Sequence, residues 1–245
     1  MTPNAAIKAT ALLAASLAFA APALAGDRAM IDIIGYSPDY RYFAFEEYGV
    51  QDGSGFPYSN IYVLDLPNDS WVKGTPVRVK IEDDSVNSSE ALARERAMAE
   101  AEPKLNALEI GESAEWIAMN GDGEPGDGKT LAFGSPGYFF NDPQGDYTLT
   151  LETFTAPAGE THCSGLVEEI LGFALTLDDN GTVRELHRDT SKLPVSRGCA
   201  MAYRIHGVVA QPAIDAVHAG VAIISVFPYG FEGPDRRFIA VPLGN

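Results

Sequence analysis

Positive charge, cysteine and histidine are all scarce in this chain, and each scarcity removes a class of function. Two cysteines and four histidines among 245 residues leave no CxxC pair and no close multi-histidine set, which argues against a zinc framework or a dithiol redox centre. No GxxxxGK[ST] run is present, so nothing here cradles a nucleotide phosphate in a P-loop, and Ser164-Gly165 lacks the context of a nucleophile elbow. Seventeen lysines and arginines stand against thirty-four aspartates and glutamates, a formal net charge of -17. Such an acidic surface disfavours nucleic-acid backbones and keeps molecules apart.

Long apolar runs are also missing beyond the first 25 residues. Those residues carry one early positive charge, Lys8, then an apolar stretch ending Ala23-Leu24-Ala25. Small residues at Ala23 and Ala25 suit signal-peptidase cleavage, with the polar Gly26-Asp27 following. The expectation is export to the periplasm or beyond, with no stable transmembrane insertion after cleavage. Cleavage removes Lys8 but no acid, so the mature chain is more acidic still.

What the chain has is β-sheet signal. Ser37-Pro38-Asp39 reads as a turn, the run from Tyr42 to Phe45 as a strand, and the run from Ile61 to Leu66 as its partner across a glycine-bearing loop. Alternation places Phe43 and Phe45 on one side and Tyr42, Ala44 and Glu46 on the other, while Ile61 and Val63 oppose Tyr62, Leu64 and Leu66. Both faces are apolar enough to be buried, or one aromatic face to serve as a ligand platform.

This stretch resembles one blade of the TolB-type propellers, although no second copy recurs at blade spacing. A longer resemblance, carried by GYSPDYRYFAFEEYG at residues 35–49, SNIYVLDL at 59–66, KLPVSRGCAMAYRI at 192–205 and GFEGPDRRFIAVP at 230–242, is to a family of predicted secreted bacterial proteins, domain-of-unknown-function family 2259. It implies location and little biochemistry.

Trp71 and residues 76–81 offer a further strand. Asn87 with Glu90 at the capping-box offset starts a helix, with Met98, Ala101, Leu105 and Leu108 along one side, Arg94, Glu95, Arg96 and Glu100 solvated, and Pro103 as a stop or kink. Residues 131–133, 147–154, 170–177 and 183–187 read as strands, the last two joined by a tight turn at Asn180-Gly181. Residues 221–227 form another. The expected fold is mainly β: an N-terminal blade-like β-hairpin module at 26–84, a helical connection at 85–110, and an antiparallel β-sandwich-like domain at 111–245.

Three constellations carry candidate chemistry. In an oxidising compartment Cys163 and Cys199 are expected to form a structural disulfide. GDGEPGDGK at 121–129 offers Asp122, Glu124 and Asp127 as oxygen ligands for Ca²⁺, without the EF-hand spacing, so an ordinary surface loop competes with a cation site. The C-terminal turn at 230–237 brings Phe231, Glu232, Asp235, Arg236 and Arg237 together as an interaction edge, with a terminal strand connection as the structural alternative. The leading function is a periplasmic, non-enzymatic binding or interaction module for an envelope protein or small ligand. A carbohydrate or peptide hydrolase is the alternative, requiring a pocket that joins Glu232 or Asp235 to His206.

Overall fold

The computed structural model describes residues 26–244 except 83–87, 123–125, 136, 138–141, 157–162, 191 and 213–215. The expected leader and Asn87 therefore lie outside the described residues.

The chain opens with β1 (Met30–Tyr36), β2 (Tyr42–Val50) and β3 (Pro57–Asp65), then the short β4 (Ser70–Trp71) and β5 (Val77–Lys80), which both pair with β3. All pairings in this first sheet are antiparallel, with Phe45 opposite Tyr62 and Ala44 opposite Val63. The helix α1 (Glu90–Ala107) follows. β6 (Glu115–Met119) joins β11 (Ala200–Ala210), β12 (Val221–Pro228) and β13 (Arg237–Pro242) in a second sheet of order β13-β12-β11-β6. β7 (Thr130–Ser135), β8 (Gln144–Ala156), β9 (Ile170–Asp179) and β10 (Thr182–Arg188) make a third, of order β10-β9-β8-β7. The molecule is thus mainly β, and its antiparallel sheets do not close into a barrel.

Strand alternation explains how these pieces stack. On β2 and β3 the side bearing Phe43, Phe45, Tyr58 and Leu64 meets Val209, Val221, Ile223, Phe238 and Ala240 of the second sheet. The opposite side, Ala44, Ile61 and Val63, packs on Ala97, Ala101 and Leu105 of α1. The other face of the second sheet, through Ala222, Ile224 and Val226, meets Leu149, Leu151, Phe173, Leu175 and Leu177 of the third. The order of layers is therefore helix, first sheet, second sheet, third sheet, with the second sheet covered on both faces. That is why β12 is apolar at successive positions instead of alternating with polar residues. A bulge between Ile205 and Gly207 shifts the alternation of β11 by one, which lets Ile205 and Val208 face the same core.

The helix is held differently from the sequence expectation. Its buried residues are Ala93, Ala97, Ala101 and Leu105, an i, i+4 seam of small side chains that lets its backbone lie close to the sheet. Met98 is exposed instead. Ser89 is the N-cap, accepting from the Leu92 N–H at 3.2 Å. The helix runs through Pro103 without stopping. Arg94 is not a solvated residue: it donates to the buried Glu46 at 2.8 Å, also contacts Asp32, and lies 3.8 Å over the Tyr48 ring.

Asn180 and Gly181 take positive φ, 51° and 90°, and close the β9–β10 hairpin with Asp179 opposite Thr182. Cys163 and Cys199 are joined, with Cα atoms 5.4 Å apart and a sequence separation of 36. They are buried with Ala156 and Ile170 in a small cluster of their own. Replacing both cysteines by alanine is expected to lower stability by about 2–4 kcal/mol, since the link restricts the unfolded chain. A denaturant midpoint unchanged from wild type would refute this.

Candidate functional site

The sheets leave an open cleft of about 580 Å³ where their edges meet. Its first wall comes from Tyr62 and Leu64 of β3, Trp71 of β4 and Arg78 of β5, with Glu47 of β2 at the back. Residues Phe238 to Val241 of β13 form the second wall, and His187, Ser196 and Arg197 close the side nearest the third sheet.

The aromatic groups are graded from core to solvent. Phe45, fully buried, stacks on Tyr62 with centroids 4.9 Å apart and planes at 6°. Tyr62 in turn meets Trp71 at 5.1 Å and 52°, and Trp71 is 39% exposed. Arg78 lies beside the Tyr62 hydroxyl, whose pKa burial pushes well above its ordinary value. No ion pair of Arg78 with a carboxylate is found among the described residues. The other cleft arginines are committed: Arg197 to Asp189 at 2.9 Å, Arg237 to Asp27 at 2.6 Å. Asp69 sits at the mouth, its carboxyl pKa raised by desolvation against the walls.

β13 is an edge strand, which invites pairing with an extended peptide. Its register with β12 turns the N–H and C=O groups of Phe238, Ala240 and Pro242 outward. Glu47 already accepts from the Phe238 N–H at 2.8 Å, and Pro242 has no N–H to give. Only Ala240 retains a donor in that row. The edge is blunted against strand addition, and the cleft is better suited to a compact ligand.

Behind this wall lies a charge network that the sequence did not announce. Asp27 accepts from the Tyr58 hydroxyl at 3.0 Å and from Arg237 at 2.6 Å. Glu47 is held by Asn60 and the Phe238 N–H, with Arg237 4.0 Å away. Desolvation raises the Glu47 pKa above the ordinary carboxylate range in spite of Arg237. Two adjacent acids, Glu46 and Glu47, inside an aromatic strand were the available signal: alternation sends one to each face, and both faces are buried.

The residues singled out by sequence fall in three places. In the turn at 230–237, Phe231 is 85% exposed and Glu232 is exposed beside it. Arg236 and Arg237 point inward, Arg236 to Asp122 at 2.8 Å and to the Ala29 carbonyl at 3.0 Å. Asp235 accepts from the Asp27 N–H at 3.0 Å. In the 121–129 loop, Asp122 is thus drawn to Arg236, whereas Asp127 accepts from the N–H groups of Lys129 and Thr130. Glu124 lies outside the described residues, among which no group of three or more acidic, His or Cys side chains could hold a metal. His206 stands edge-on between Trp116 and Phe238. Burial, then the charge of Arg236, lowers its pKa, with Asp122 opposing. Neither Glu232 nor Asp235 acts on it among the described residues.

The family described as "Predicted secreted protein (DUF2259)" matches residues 44–243, which include every strand from β3 to β13 and most of β2. No curated protein and no solved structure matches the chain. No helix among the described residues is long and apolar enough to cross a membrane.

Proposed function

Because the chain belongs to the predicted secreted protein family DUF2259, we propose that it works outside the cytoplasm, in the periplasm, as a non-enzymatic binding module. Its ligand is a small, hydroxyl-rich anion held in the cleft between β3–β5 and β13. The observation that carries this reading is the Phe45–Tyr62–Trp71 stack ending beside Arg78, a guanidinium without a carboxylate partner among the described residues. A partly exposed indole gives a flat apolar face to a sugar-like ring, and a guanidinium with no carboxylate partner among the described residues gives a fork for its carboxylate or phosphate. The surrounding acidity favours a local cation as the determinant of where an anion lands.

Thermal-shift screening against neutral hexoses, hexuronic acids and sugar phosphates tests this. Binding of an anionic member is expected to weaken by about tenfold or more in Arg78→Ala, since a charge-assisted hydrogen bond is worth about 1.5–3 kcal/mol. Trp71→Ala is expected to weaken neutral and anionic members alike. Undiminished affinity in both variants would remove the cleft as the binding site. The hydrolase alternative draws on Glu47 and Asp69 lining the same cleft with raised carboxyl pKa values. It requires turnover of a bound glycoside or peptide, abolished in Asp69→Asn.

A further inference from the structure

Residues 26–29 are bound to the C-terminal turn along their backbone. A Cβ on Gly26 would stand 2.3 Å from the Pro234 carbonyl oxygen, so a side chain there collides with backbone. The Asp27 N–H donates to Asp235 at 3.0 Å and the Asp27 carbonyl accepts from the Arg236 N–H at 2.7 Å. Arg28 forms a parallel bridge with Arg236, which also reaches the Ala29 carbonyl.

The charges here do not balance. Asp27, Glu47 and Asp235 share one guanidinium, that of Arg237, at 2.6, 4.0 and 3.7 Å. Asp52 lies close enough to Asp235 to help raise its pKa, behind desolvation as the main cause. Its Oδ2 is buried and has no hydrogen-bond partner among the described residues. Among the described residues Arg237 is the one cation ion-paired with these carboxylates. The Gly26 nitrogen lies one peptide unit from the Asp27 N–H that Asp235 holds, hence within about 7 Å of that carboxylate by standard backbone dimensions.

The residues just before Gly26 read as a signal-peptidase site, and we infer that cleavage between Ala25 and Gly26 supplies a second cation: the new α-ammonium of Gly26 docks against Asp235 and Asp52. The turn at 230–237 is then the receptor for the mature N-terminus. Hydrolysis needs water alone as co-reactant and leaves an Ala25 carboxylate and a Gly26 ammonium. Gly26 fits the role because the terminus has to lie flat on Pro234, and Asp27 then continues directly into the network with Tyr58 and Arg237. This inference is independent of what the cleft binds.

The test uses the full chain, with its own leader, secreted by a bacterial host. Intact mass and N-terminal sequencing of the product are expected to begin at Gly26. The titration midpoint of that amine, followed by competitive acetylation across pH, is expected to lie about one unit above that of the urea-unfolded protein, roughly a tenfold loss of reactivity at constant pH. Burial without a carboxylate partner would move the midpoint down instead. In an Asp52→Asn/Asp235→Asn variant the upward shift is expected to vanish. If that variant does not fold, the folded and unfolded wild type decide alone. A mature chain that starts elsewhere, or an amine that titrates at or below its unfolded midpoint, overturns the proposal.

Discussion

Arg237→Ala is expected to destabilise the protein by about 3–5 kcal/mol at neutral pH, the usual cost of leaving buried carboxylates without their cation. Asp27 and Glu47 are both nearly inaccessible, and the Arg237 guanidinium faces both as well as Asp235. The loss is expected to depend on pH in a direction set by Glu47. Its folded pKa is raised by burial, with Arg237 holding it down. A carboxyl raised in the folded state retains protons that the unfolded chain releases, so its contribution is fully favourable below the unfolded value, about 4.3, and is lost as pH rises through the folded pKa. Removing Arg237 raises that folded pKa further. The gap between variant and wild type should therefore be widest near pH 7 and narrow on acidification towards about pH 4.3. Urea midpoints at several pH values measure it. A gap constant across that range would show that Arg237 acts through packing on the Tyr58 ring, 5.2 Å away, and not through charge. Adding Glu47→Gln to Arg237→Ala is expected to restore part of the loss, because neighbouring sites in one network do not contribute additively.

The parts of this architecture that were legible in the sequence are those set by local periodicity. The two faces of β2 and β3 follow from alternation, the β9–β10 hairpin from Asn180-Gly181, and the disulfide from two cysteines in a chain whose sequence reads as exported. The arrangement of layers was not legible, because it depends on which apolar faces choose each other, and both faces of β3 and β12 are apolar. The helix shows the same limit. A seam of alanines carries little hydrophobic signal, so Met98 attracted the assignment that belonged to Ala93 and Ala97.

The cleft was beyond sequence reasoning for a different reason. Glu47, Trp71, Arg78, His187 and Arg197 come from strands and turns of two sheets, and Phe238 from the edge of a third. No spacing rule connects them. The C-terminal turn is intermediate: its residues stood out correctly as a dense cluster of charge, yet Arg237 faces the buried Asp27 and Glu47 and Arg236 is itself buried while pairing with the exposed Asp122, leaving Phe231 and Glu232 at the surface. Opposite charges close in sequence suggest pairing within the turn, whereas the carboxylates used by these two arginines also come from residues more than 100 positions away.

The second large effect is expected at Arg197, and its pH dependence should differ from that of Arg237. Asp189 is buried and accepts from the Phe173 N–H at 2.9 Å and from Arg197 at 2.9 Å, with His187 Nε2 at 3.0 Å from its other oxygen. Desolvation would raise the Asp189 pKa, but the His187 hydrogen bond, the charge of Arg197 and the Phe173 N–H outweigh it and hold the carboxyl below its ordinary value. A depressed carboxyl contributes stability above its unfolded pKa, about 3.9, and loses it as pH falls through the folded value. Arg197→Met keeps an unbranched chain beneath the Phe173 ring, which the guanidinium covers at 4.9 Å, while removing the charge. It is expected to cost about 3–5 kcal/mol at pH 7. Because the folded Asp189 carboxyl is held below its ordinary value and that of Glu47 above it, the cost should persist at acidities where the Arg237 gap has already narrowed. Parallel urea titrations of the two variants separate these networks, one a carboxylate held above its ordinary pKa and one held below it. Coincident pH profiles for Arg237→Ala and Arg197→Met would refute the assignment of opposite shifts to Glu47 and Asp189.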